Sequence, residues 1–405
     1  MRSKVALRCA LSSLCLLAAS LLPLSAAPPT DRGIRQKIQH VVVVMMENRS
    51  FDHLLGWHPT ADGVQAGLQY TDGEGNTVST HALAPDFRGC DFHDPDHSYE
   101  GSRTSYRGGA MDGFLRAGDN DVYAIGYYVE NDRPFLSALA RNYTTADRFF
   151  ASILSETFPN RFFLHAAQTD RLDNALDPST LPTIWDRLAE AGVSARYYYS
   201  DLSFLGFWGN KYDGISASYA EFLADAAAGT LPAVSFVDPS FLFFELGLCN
   251  SEHPHCDIRA GDAFLAEAFH AVAAGPNWPS TIFVVVYDEG GGFFDHVAPP
   301  RAVAPNDVDP DLVNGKALLG FRVPAIVASP WSKGDPTHPR VSSTVFDHTS
   351  VLKLIEWRWH LRPLTARDAS DDVGNLVDTL AFGRFDPTVP ELPLPEAPPT
   401  QACPP

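Results

Sequence analysis

The chain alternates short apolar runs with segments in which apolar residues recur at helical spacing. Largely apolar or aromatic runs lie at residues 38–46, 195–199, 231–238, 282–287 and 323–329. Runs of this length, bounded by polar residues, predict strands that are covered on both faces. Helical patterns lie at residues 134–143, 159–166, 183–192, 260–274 and 349–360, the last capped by Asp347. The alternation predicts an α/β fold with a largely parallel central sheet and helices on both faces.

Three stretches lack a regular period. Residues 60–80 are rich in Gly and Asp and predict a surface excursion, and residues 91–114 are polar and aromatic and contain His93 and His97. A loop as long as 91–114 in a compact domain is usually functional or disordered. Residues 386–405 are rich in proline, which predicts an extended or disordered tail. We therefore expect one folded domain at residues 28–385, followed by this tail.

The apolar run 282–287 ends in two adjacent carboxylates, Asp288 and Glu289, and three glycines follow. Two carboxylates at the end of a buried strand repel each other and lose hydration, so they require a counter-charge. A metal cation is the simplest one. Asp295 and His296 follow one short loop later and favour a site over the alternative of a solvated acidic turn.

Polar residues also follow other predicted buried elements. Glu47 and Asn48 end the first strand, where open α/β sheets place their ligands. Thr157 precedes Pro159, a residue typical of the first helical turn, so its hydroxyl is expected near a helix N-terminus that favours anions. For Thr157 alone, the competing interpretation is a simple helix cap.

These side chains share hard oxygen donors, a composition that suits Mg²⁺, Ca²⁺ or Mn²⁺, with Zn²⁺ as the choice if histidines join. The predicted metal ligands are Glu47, Asn48, Thr157, Asp288 and Glu289. A metal beside the hydroxyl would lower its pKa and make it a nucleophile. We predict that His97, His253 and His296 protonate the leaving alkoxide or neutralise a phosphoryl oxygen. Each histidine taken alone also fits a structural role.

Composition and charge narrow the choice of partner. Of 405 residues, 45% are hydrophobic and 20% are charged, which is ordinary for a globular protein, but 49 acidic residues against 30 basic ones give a formal charge of -19. This balance argues against nucleic acid and gives no general attraction to anionic membranes. An anionic substrate such as a phosphate ester would need a local cation to overcome the overall repulsion.

The first 27 residues have the form of a secretory signal peptide. A basic segment with Arg2 and Lys4 precedes an apolar run at residues 9–22, and the small residues 25–27 form a cleavage site. An uncleaved membrane anchor is the alternative.

Cleavage leaves four cysteines, Cys90, Cys249, Cys256 and Cys403. An even number in an exported protein suggests disulfides, and Cys249 and Cys256 are close enough to close one loop.

Several motifs in one order resemble the phosphoesterase family, which contains bacterial and plant non-specific phospholipases C and an acid phosphatase. The similar segments are residues 47–52 (ENRSFD), 94–98 (DPDHS), 157–161 (TFPNR), 253–254 (HP), 287–300, 320–324 (GFRVP) and 346–359. The resemblance spans residues 38–368 and implies an alkaline-phosphatase-like fold. It also implies that Glu47, Asn48, Asp288 and Glu289 bind metal and that Thr157 accepts the phosphoryl group.

The resemblance further implies a phospho-threonine intermediate, with His97 and His253 steadying the phosphoryl group. The expected activity is that of a phospholipase C on phospholipids, with transient contact at membrane surfaces. Six aromatic residues are candidates either for a lipid-facing rim or for core packing: Phe204, Phe207, Trp208, Phe241, Phe243 and Phe244. The alternative is a broad acid phosphatase acting on small phosphate monoesters. Two features depart from the family: Gly290 stands where many members have His, and a proline-rich tail replaces further C-terminal domains. A sulfatase is discounted because Thr157 cannot be oxidised to the aldehyde that sulfatases require.

Overall fold

The computed structural model describes residues 31–241, 248–399 and 401–403. The predicted signal peptide at 1–27 lies outside these residues. Strands in the described part are β1 His40–Met46, β2 Gln69–Thr71, β3 Thr77–Ser79, β4 His81–Ala82, β5 Gly126–Tyr127, β6 Thr144–Ala146, β7 Ala195–Tyr199, β8 Ser216–Ser218, β9 Val234–Asp238, β10 Thr281–Tyr287, β11 Arg301–Val303, β12 Leu312–Val313, β13 Lys316–Leu318, β14 Ala325–Ala328 and β15 Val341–Ser342.

Eight of these strands form the central sheet, in the order β15-β6-β14-β10-β1-β9-β7-β8. Strand β1 pairs in parallel with β10 on one side and with β9 on the other. Strand β14 runs antiparallel to both of its neighbours, β10 and β6, and the other seven strands run in one direction. The prediction of a largely parallel sheet is confirmed.

Both faces of the sheet centre are covered. Every residue of β10 is buried, as is every residue of β1 from Val41 onward. Because consecutive side chains of a strand point to opposite faces, complete burial means that both faces are packed. Strands β9 and β14 are shorter than the apolar runs at 231–238 and 323–329 that predicted them. Each run contains a proline near its start, Pro232 and Pro324, which has no N–H to donate to a neighbouring strand.

Helices in the described part are α1 Asp31–Arg35, α2 Phe51–Leu55, α3 Tyr99–Tyr106, α4 Pro134–Asn142, α5 Thr157–Ala166, α6 Ile184–Glu190, α7 Tyr219–Ala228, α8 Ile258–Ala274, α9 His348–Trp359 and α10 Ala366–Ala369. The helical periodicity located five of them: α4, α5, α6, α8 and α9. Asp347 is the N-cap of α9, as predicted, and its side chain accepts from the Thr349 amide. Helices α4 and α7 pack on α8, whereas α6 and α9 pack on α5.

The segment 91–114 was wrongly predicted to lack regular structure. It contains α3, whose N-cap Ser98 accepts a hydrogen bond from the Gly101 amide. The helix escaped detection because its sequence, YEGSRTSY, has almost no apolar period, and its buried residues Gly101, Ser102 and Ser105 are small and polar or lack a side chain. A polar helix of this kind is positioned by its cap and by tertiary packing.

The described residues of the proline-rich tail form no helix or strand, and they pack against the domain. Trp278 Nε1 donates to the carbonyl oxygen of Pro387 at 2.9 Å, and Leu392 is buried.

A disulfide joins Cys403 to Cys90, and a second joins Cys249 to Cys256. Within the described residues, the helices are all too short or too polar to cross a bilayer.

Candidate active site

The C-terminal ends of β1 and β10 bring four predicted ligands together. The two strands pair as far as Met46 and Tyr287, so the residues that follow emerge side by side. The amide nitrogen of Asn48 donates to Asp288 Oδ1 at 2.8 Å, and the amide of Glu289 donates to the same oxygen at 2.7 Å. Glu47, Asn48, Asp288 and Glu289 are all buried.

Thr157 joins this group from a distant part of the chain. It is the first residue of α5, and its Oγ1 lies 3.3 Å from Glu47 Oε2 and 3.4 Å from Asn48 Oδ1. The N-terminus of a helix carries partial positive charge and exposed N–H groups, which favour an anion nearby. We refer to Glu47, Asn48, Thr157, Asp288 and Glu289 together as the oxygen cluster.

Two carboxylate oxygens of the oxygen cluster remain without a hydrogen-bond partner. Asp288 Oδ2 and Glu289 Oε1 are buried, and no donor in the described chain reaches them. An unsatisfied buried charge is costly, so oxygens of this kind require a cation or protons. The donor set consists of carboxylate, amide and hydroxyl oxygens, which is the set that hard divalent cations prefer. The residues therefore fit a divalent metal.

The electrostatics of the oxygen cluster lead to the same requirement. Burial, reinforced by the charge of Asp288, raises the pKa of Glu47 well above its usual range, although Arg161 opposes the shift. Burial also raises the pKa of Glu289, with Asp288 contributing in the same direction and His97 opposing it. Three carboxylates crowd a site that one guanidinium does not neutralise.

Arg161 is a site residue to which the sequence analysis gave no role. Its Nε donates to Glu47 Oε1 at 2.7 Å, Nη2 contacts the same oxygen, and Nη1 lies 3.0 Å from Asp238 Oδ2. Arg161 follows Thr157 by four residues on α5, so both project from the same face of the helix. That spacing was available in the sequence and would have placed Arg161 beside Thr157.

Two of the three predicted histidines lie next to the oxygen cluster. His97 Nε2 is 3.3 Å from Asn48 Nδ2, and the ring of His253 meets that of His97 edge to face, with centroids 5.7 Å apart. Burial disfavours protonation of His97, but the charges of Glu289 and Asp94 outweigh it and raise its pKa to about 9. Burial lowers the pKa of His253. Their catalytic roles stay predictions.

His296 lies in a different environment. Its Nδ1 is 2.5 Å from Asp52 Oδ2, and its Nε2 is 3.2 Å from Asp62 Oδ1. Arg322 also binds Asp52, with Nη2 3.2 Å from Oδ1. Within the described residues, His296 therefore belongs to an ion-pair network with Asp52, Asp62 and Arg322. Its catalytic role stays a prediction.

Glycine is required where the loop after β10 passes under Asn48. Gly291 has φ of 59°, and a Cβ there would lie 2.0 Å from the carbonyl oxygen of Asn48. Gly292 has φ of 70°, and a Cβ there would lie 2.7 Å from Pro95. Gly291 therefore permits the close approach of the two segments that carry the predicted metal ligands.

The aromatic residues considered as a lipid-facing rim are mostly part of the core. Phe204, Trp208 and Phe241 are buried, and Phe207 is partly buried against Phe158. Phe243 and Phe244 lie outside the described residues. The packing alternative is therefore correct for the three buried side chains.

Hydrolysis of a phosphoric ester needs a nucleophile placed beside strong positive charge. The position of the Thr157 hydroxyl fits the first requirement, and the donor atoms of the oxygen cluster fit a divalent cation. The protein is a phosphoric ester hydrolase. It belongs to the Phosphoesterase family, whose sequence model matches residues 38–362.

Curated relatives support this assignment. The chain is 33% identical over 389 residues to phospholipase C A of Mycobacterium tuberculosis, covering 80% of this chain and 73% of that protein. It is 32% identical over 378 residues to non-specific phospholipase C1 of Arabidopsis thaliana, covering 83% and 70%. Among solved structures, an alkaline phosphatase superfamily protein from Vibrio parahaemolyticus matches with TM-score 0.40 and 11% identity, covering 84% of this chain and 70% of the other.

Proposed function

We propose that this protein is an exported, metal-dependent phospholipase C that uses Thr157 as its nucleophile. The observation that carries the proposal is the position of the Thr157 hydroxyl, which lies at a helix N-terminus within 3.4 Å of both Glu47 and Asn48. Similarity to two proteins named phospholipase C supports the choice of a phosphodiester of lipid as substrate.

In the proposed reaction, Thr157 Oγ1 attacks phosphorus and the bond from phosphorus to the diacylglycerol oxygen breaks. The Thr157 hydroxyl donates to Glu47 Oε2, which orients it, and its proton passes to solvent as the bond to phosphorus forms. His97, whose pKa is raised to about 9, supplies a proton to the leaving alkoxide, and His253 beside it steadies the phosphoryl group. Water then attacks the phospho-threonine and releases the phosphorylated head group, so the sum is lipid plus water giving diacylglycerol and head-group phosphate.

A divalent cation, when bound to the oxygen cluster, supplies positive charge that stabilises the transition state and the threonine alkoxide. Glu47, Asn48, Asp288 and Glu289 would hold it, with Thr157 as the fifth donor. The donor chemistry is compatible with Mg²⁺, Ca²⁺, Mn²⁺ or Zn²⁺. Arg161 fixes Glu47 through Oε1, so that Oε2 remains directed at Thr157.

Exposed leucines near the site support action at a lipid surface. Leu202 and Leu248 are each 52% exposed and lie on neighbouring loops, because Ser240 Oγ is 3.1 Å from Asp201 Oδ2 and 2.9 Å from the Leu248 carbonyl oxygen. Leu176 is 79% exposed, on the loop whose Asn174 accepts from the amide of Phe158, next to the nucleophile. Transient membrane contact through these loops accompanies the proposed activity.

Export is supported by the two disulfides, which persist in oxidising compartments. Expression with the natural leader in a secreting host tests this part of the proposal. We expect N-terminal sequencing of the exported protein to begin at Pro28. Retention of residues 1–27 on a membrane-bound product contradicts cleavage.

A substrate panel tests the activity. The purified protein is supplied in turn with each candidate metal and assayed on phosphatidylcholine, phosphatidylethanolamine and phosphatidylglycerol vesicles and on a soluble aryl phosphate monoester, with a Thr157→Val preparation as the contamination control. We expect diacylglycerol and the head-group phosphate as products, with kcat/KM for the best lipid exceeding that for the monoester. Faster hydrolysis of the monoester favours the acid phosphatase alternative, and the absence of diacylglycerol overturns the phospholipase proposal.

A further inference from the structure

The loop that carries His253 is held by a buried acid, Glu252, which directly precedes it. One carboxylate oxygen of Glu252 accepts from the Tyr287 hydroxyl at 2.9 Å and from Arg133 Nη1 at 2.7 Å, and Arg133 Nη2 contacts the other oxygen. We propose that Glu252 is a positioning residue that holds His253 in place for the phosphoryl group. This inference rests on the role of His253 in the proposed function.

The partners of Glu252 are themselves held in the fold. Tyr287 is the last residue of β10. Arg133 is the N-cap residue of α4, and its Nε lies 3.4 Å from Asp262 Oδ1. Asp262, on α8, also accepts from two amides in the first turn of α4, each at 2.9 Å. The Glu252 carboxylate therefore connects its loop to the central sheet and to two helices.

The backbone beside Glu252 contacts the segment that follows β1. The carbonyl oxygen of Ser251 accepts from the amide of Glu47 at 3.0 Å, and the carbonyl oxygen of Glu252 accepts from Arg49 Nε at 2.8 Å. Glu47 is a member of the oxygen cluster. Because His253 is the next residue in the chain, a displacement of Glu252 would move His253 relative to the oxygen cluster.

The backbone conformation of Glu252 depends on these contacts. Its φ of 80° lies in the left-handed region, which residues with a Cβ rarely adopt. Such a conformation persists only where the surrounding structure enforces it. The Cys249–Cys256 disulfide joins the two ends of the loop. The contacts of Glu252 therefore set the conformation at the centre of the loop, where His253 lies.

Gly261 provides the space that the Glu252 side chain occupies. It lies in α8, and a Cβ at this position would be 2.2 Å from Glu252 Cγ and 2.4 Å from Oε1. Gly261→Ala must therefore displace the carboxylate without removing its charge. Alanine is a better helix former than glycine, so the substitution does not weaken α8 itself. Gly206→Ala is the matched control, because Gly206 lies in a short 3₁₀ helix with open space around it.

Binding of inorganic phosphate to the metal-supplied protein, measured by calorimetry, reports on His253 without turnover. We expect Glu252→Gln to weaken phosphate binding by at least about 10-fold, the scale of one hydrogen bond to a charged group. The kcat/KM for an aryl phosphate monoester should fall by about 10- to 100-fold, because a misplacement of about 1 Å can cost about 10²-fold. Tyr287→Phe and Gly261→Ala should act in the same direction. Glu130→Gln, at a partly exposed pair with Arg141, should be neutral.

A double-mutant cycle with His253→Gln separates positioning from general damage. Once His253 is replaced, Glu252 has no ring to position. Glu252→Gln added to His253→Gln should therefore change the phosphate dissociation constant and kcat/KM by less than about 2-fold, the range within which independent measurements agree. Circular dichroism verifies folding. If Glu252→Gln does not fold, the cycle is measured with Tyr287→Phe and Gly261→Ala in its place.

Three results overturn the inference. One is native phosphate affinity in folded Glu252→Gln, and another is native affinity in His253→Gln. The third is an equal further loss when Glu252→Gln is added to His253→Gln, which would show that Glu252 acts independently of that ring. Failure of the native protein to hydrolyse any phospholipid contradicts the proposed function but leaves the phosphate cycle measurable, so the two failures are distinguishable.

Discussion

Arg161 binds Glu47 through one carboxylate oxygen and leaves the other directed at Thr157. Nε of Arg161 is 2.7 Å from Glu47 Oε1, whereas Glu47 Oε2 is 3.3 Å from Thr157 Oγ1. Nη1 of the same guanidinium lies 3.0 Å from Asp238, which also accepts a hydrogen bond from the Tyr197 hydroxyl. Because these side chains are buried, the orientation of Glu47 depends on the planar guanidinium.

We predict that Arg161→Lys lowers kcat by about 10- to 100-fold, the range typical for removing a group that orients a metal ligand. Lysine keeps the charge but has a single nitrogen, which cannot contact Glu47 twice and Asp238 at the same time. Steady-state kinetics and calorimetric metal titration measure the effect. Arg196→Lys, at a partly exposed pair with Asp225, is the matched control and should be neutral. Equal kinetics for the two variants would show that Arg161 does not position Glu47.

Thr157→Val should reduce turnover by at least about 10³-fold, the scale of losing a covalent nucleophile, and leave the unfolding temperature close to native. Valine has nearly the same shape as threonine but no hydroxyl. Thr157→Ser keeps the hydroxyl and should retain activity. Mass spectrometry of an acid-quenched reaction should find the head-group phosphate on the peptide that contains Thr157. Near-native turnover in Thr157→Val would rule out the nucleophile.

Removal of divalent metal should abolish activity, and adding a divalent cation should restore it. Glu47, Asp288 and Glu289 bring three carboxylates to one place, and Arg161 provides a single opposing charge. Activity is followed during chelation, with elemental analysis of the same samples. Asp288→Asn should require a higher metal concentration for half-maximal activity. Full activity in protein shown to be metal-free would contradict the metal requirement.

Gly291→Ala should lower both activity and metal affinity. A Cβ at Gly291 would lie 2.0 Å from the carbonyl oxygen of Asn48, so the segment after β1 that carries Glu47 and Asn48 must move. Gly315→Ala is the matched control, because Gly315 also has positive φ, 75°, but has open space around it. Both variants carry the backbone strain, and only Gly291→Ala carries the clash. A similar loss in both would attribute the effect to strain alone.

Glu356 should contribute to the pH dependence of the free energy of unfolding. Burial, reinforced by Asp368, raises the pKa of Glu356 to about 9 from the ordinary 4.5. Between these pH values the folded protein holds a proton that the unfolded chain releases, so this group makes stability fall as pH rises from about 4.5 to about 9. Gln is permanently neutral and can donate to Asp368 as the protonated acid does.

Glu356→Gln should therefore raise the unfolding temperature at pH 8 more than at pH 5. Thermal unfolding at the two values measures the difference, and Glu396→Gln, at an exposed position of the tail, is the control. An equal change at both pH values would contradict a proton held by Glu356 in the folded state.

The sequence by itself determined where the main strands and helices lie and which polar residues end them. The apolar run at 282–287 predicted β10 almost to the residue, and Asp347 was found as a cap, because both signals act between neighbours in the chain. Family motifs added the roles expected of Thr157 and the carboxylates. The polar helix α3 was not predicted, because its sequence lacks the apolar period by which helices are recognised.

Only the tertiary structure decided which of these residues meet. Glu47 and Thr157 are 110 residues apart, and the Cys90–Cys403 disulfide joins positions separated by 313. Local patterns do not encode the order of strands, and it is the placement of β1 beside β10 that brings Asn48 to Asp288. For the same reason, composition did not distinguish His97, which contacts Asn48, from His296, which pairs with Asp52. The pairing of side chains far apart in sequence depends on chain topology, and chain topology is fixed by packing of the whole domain.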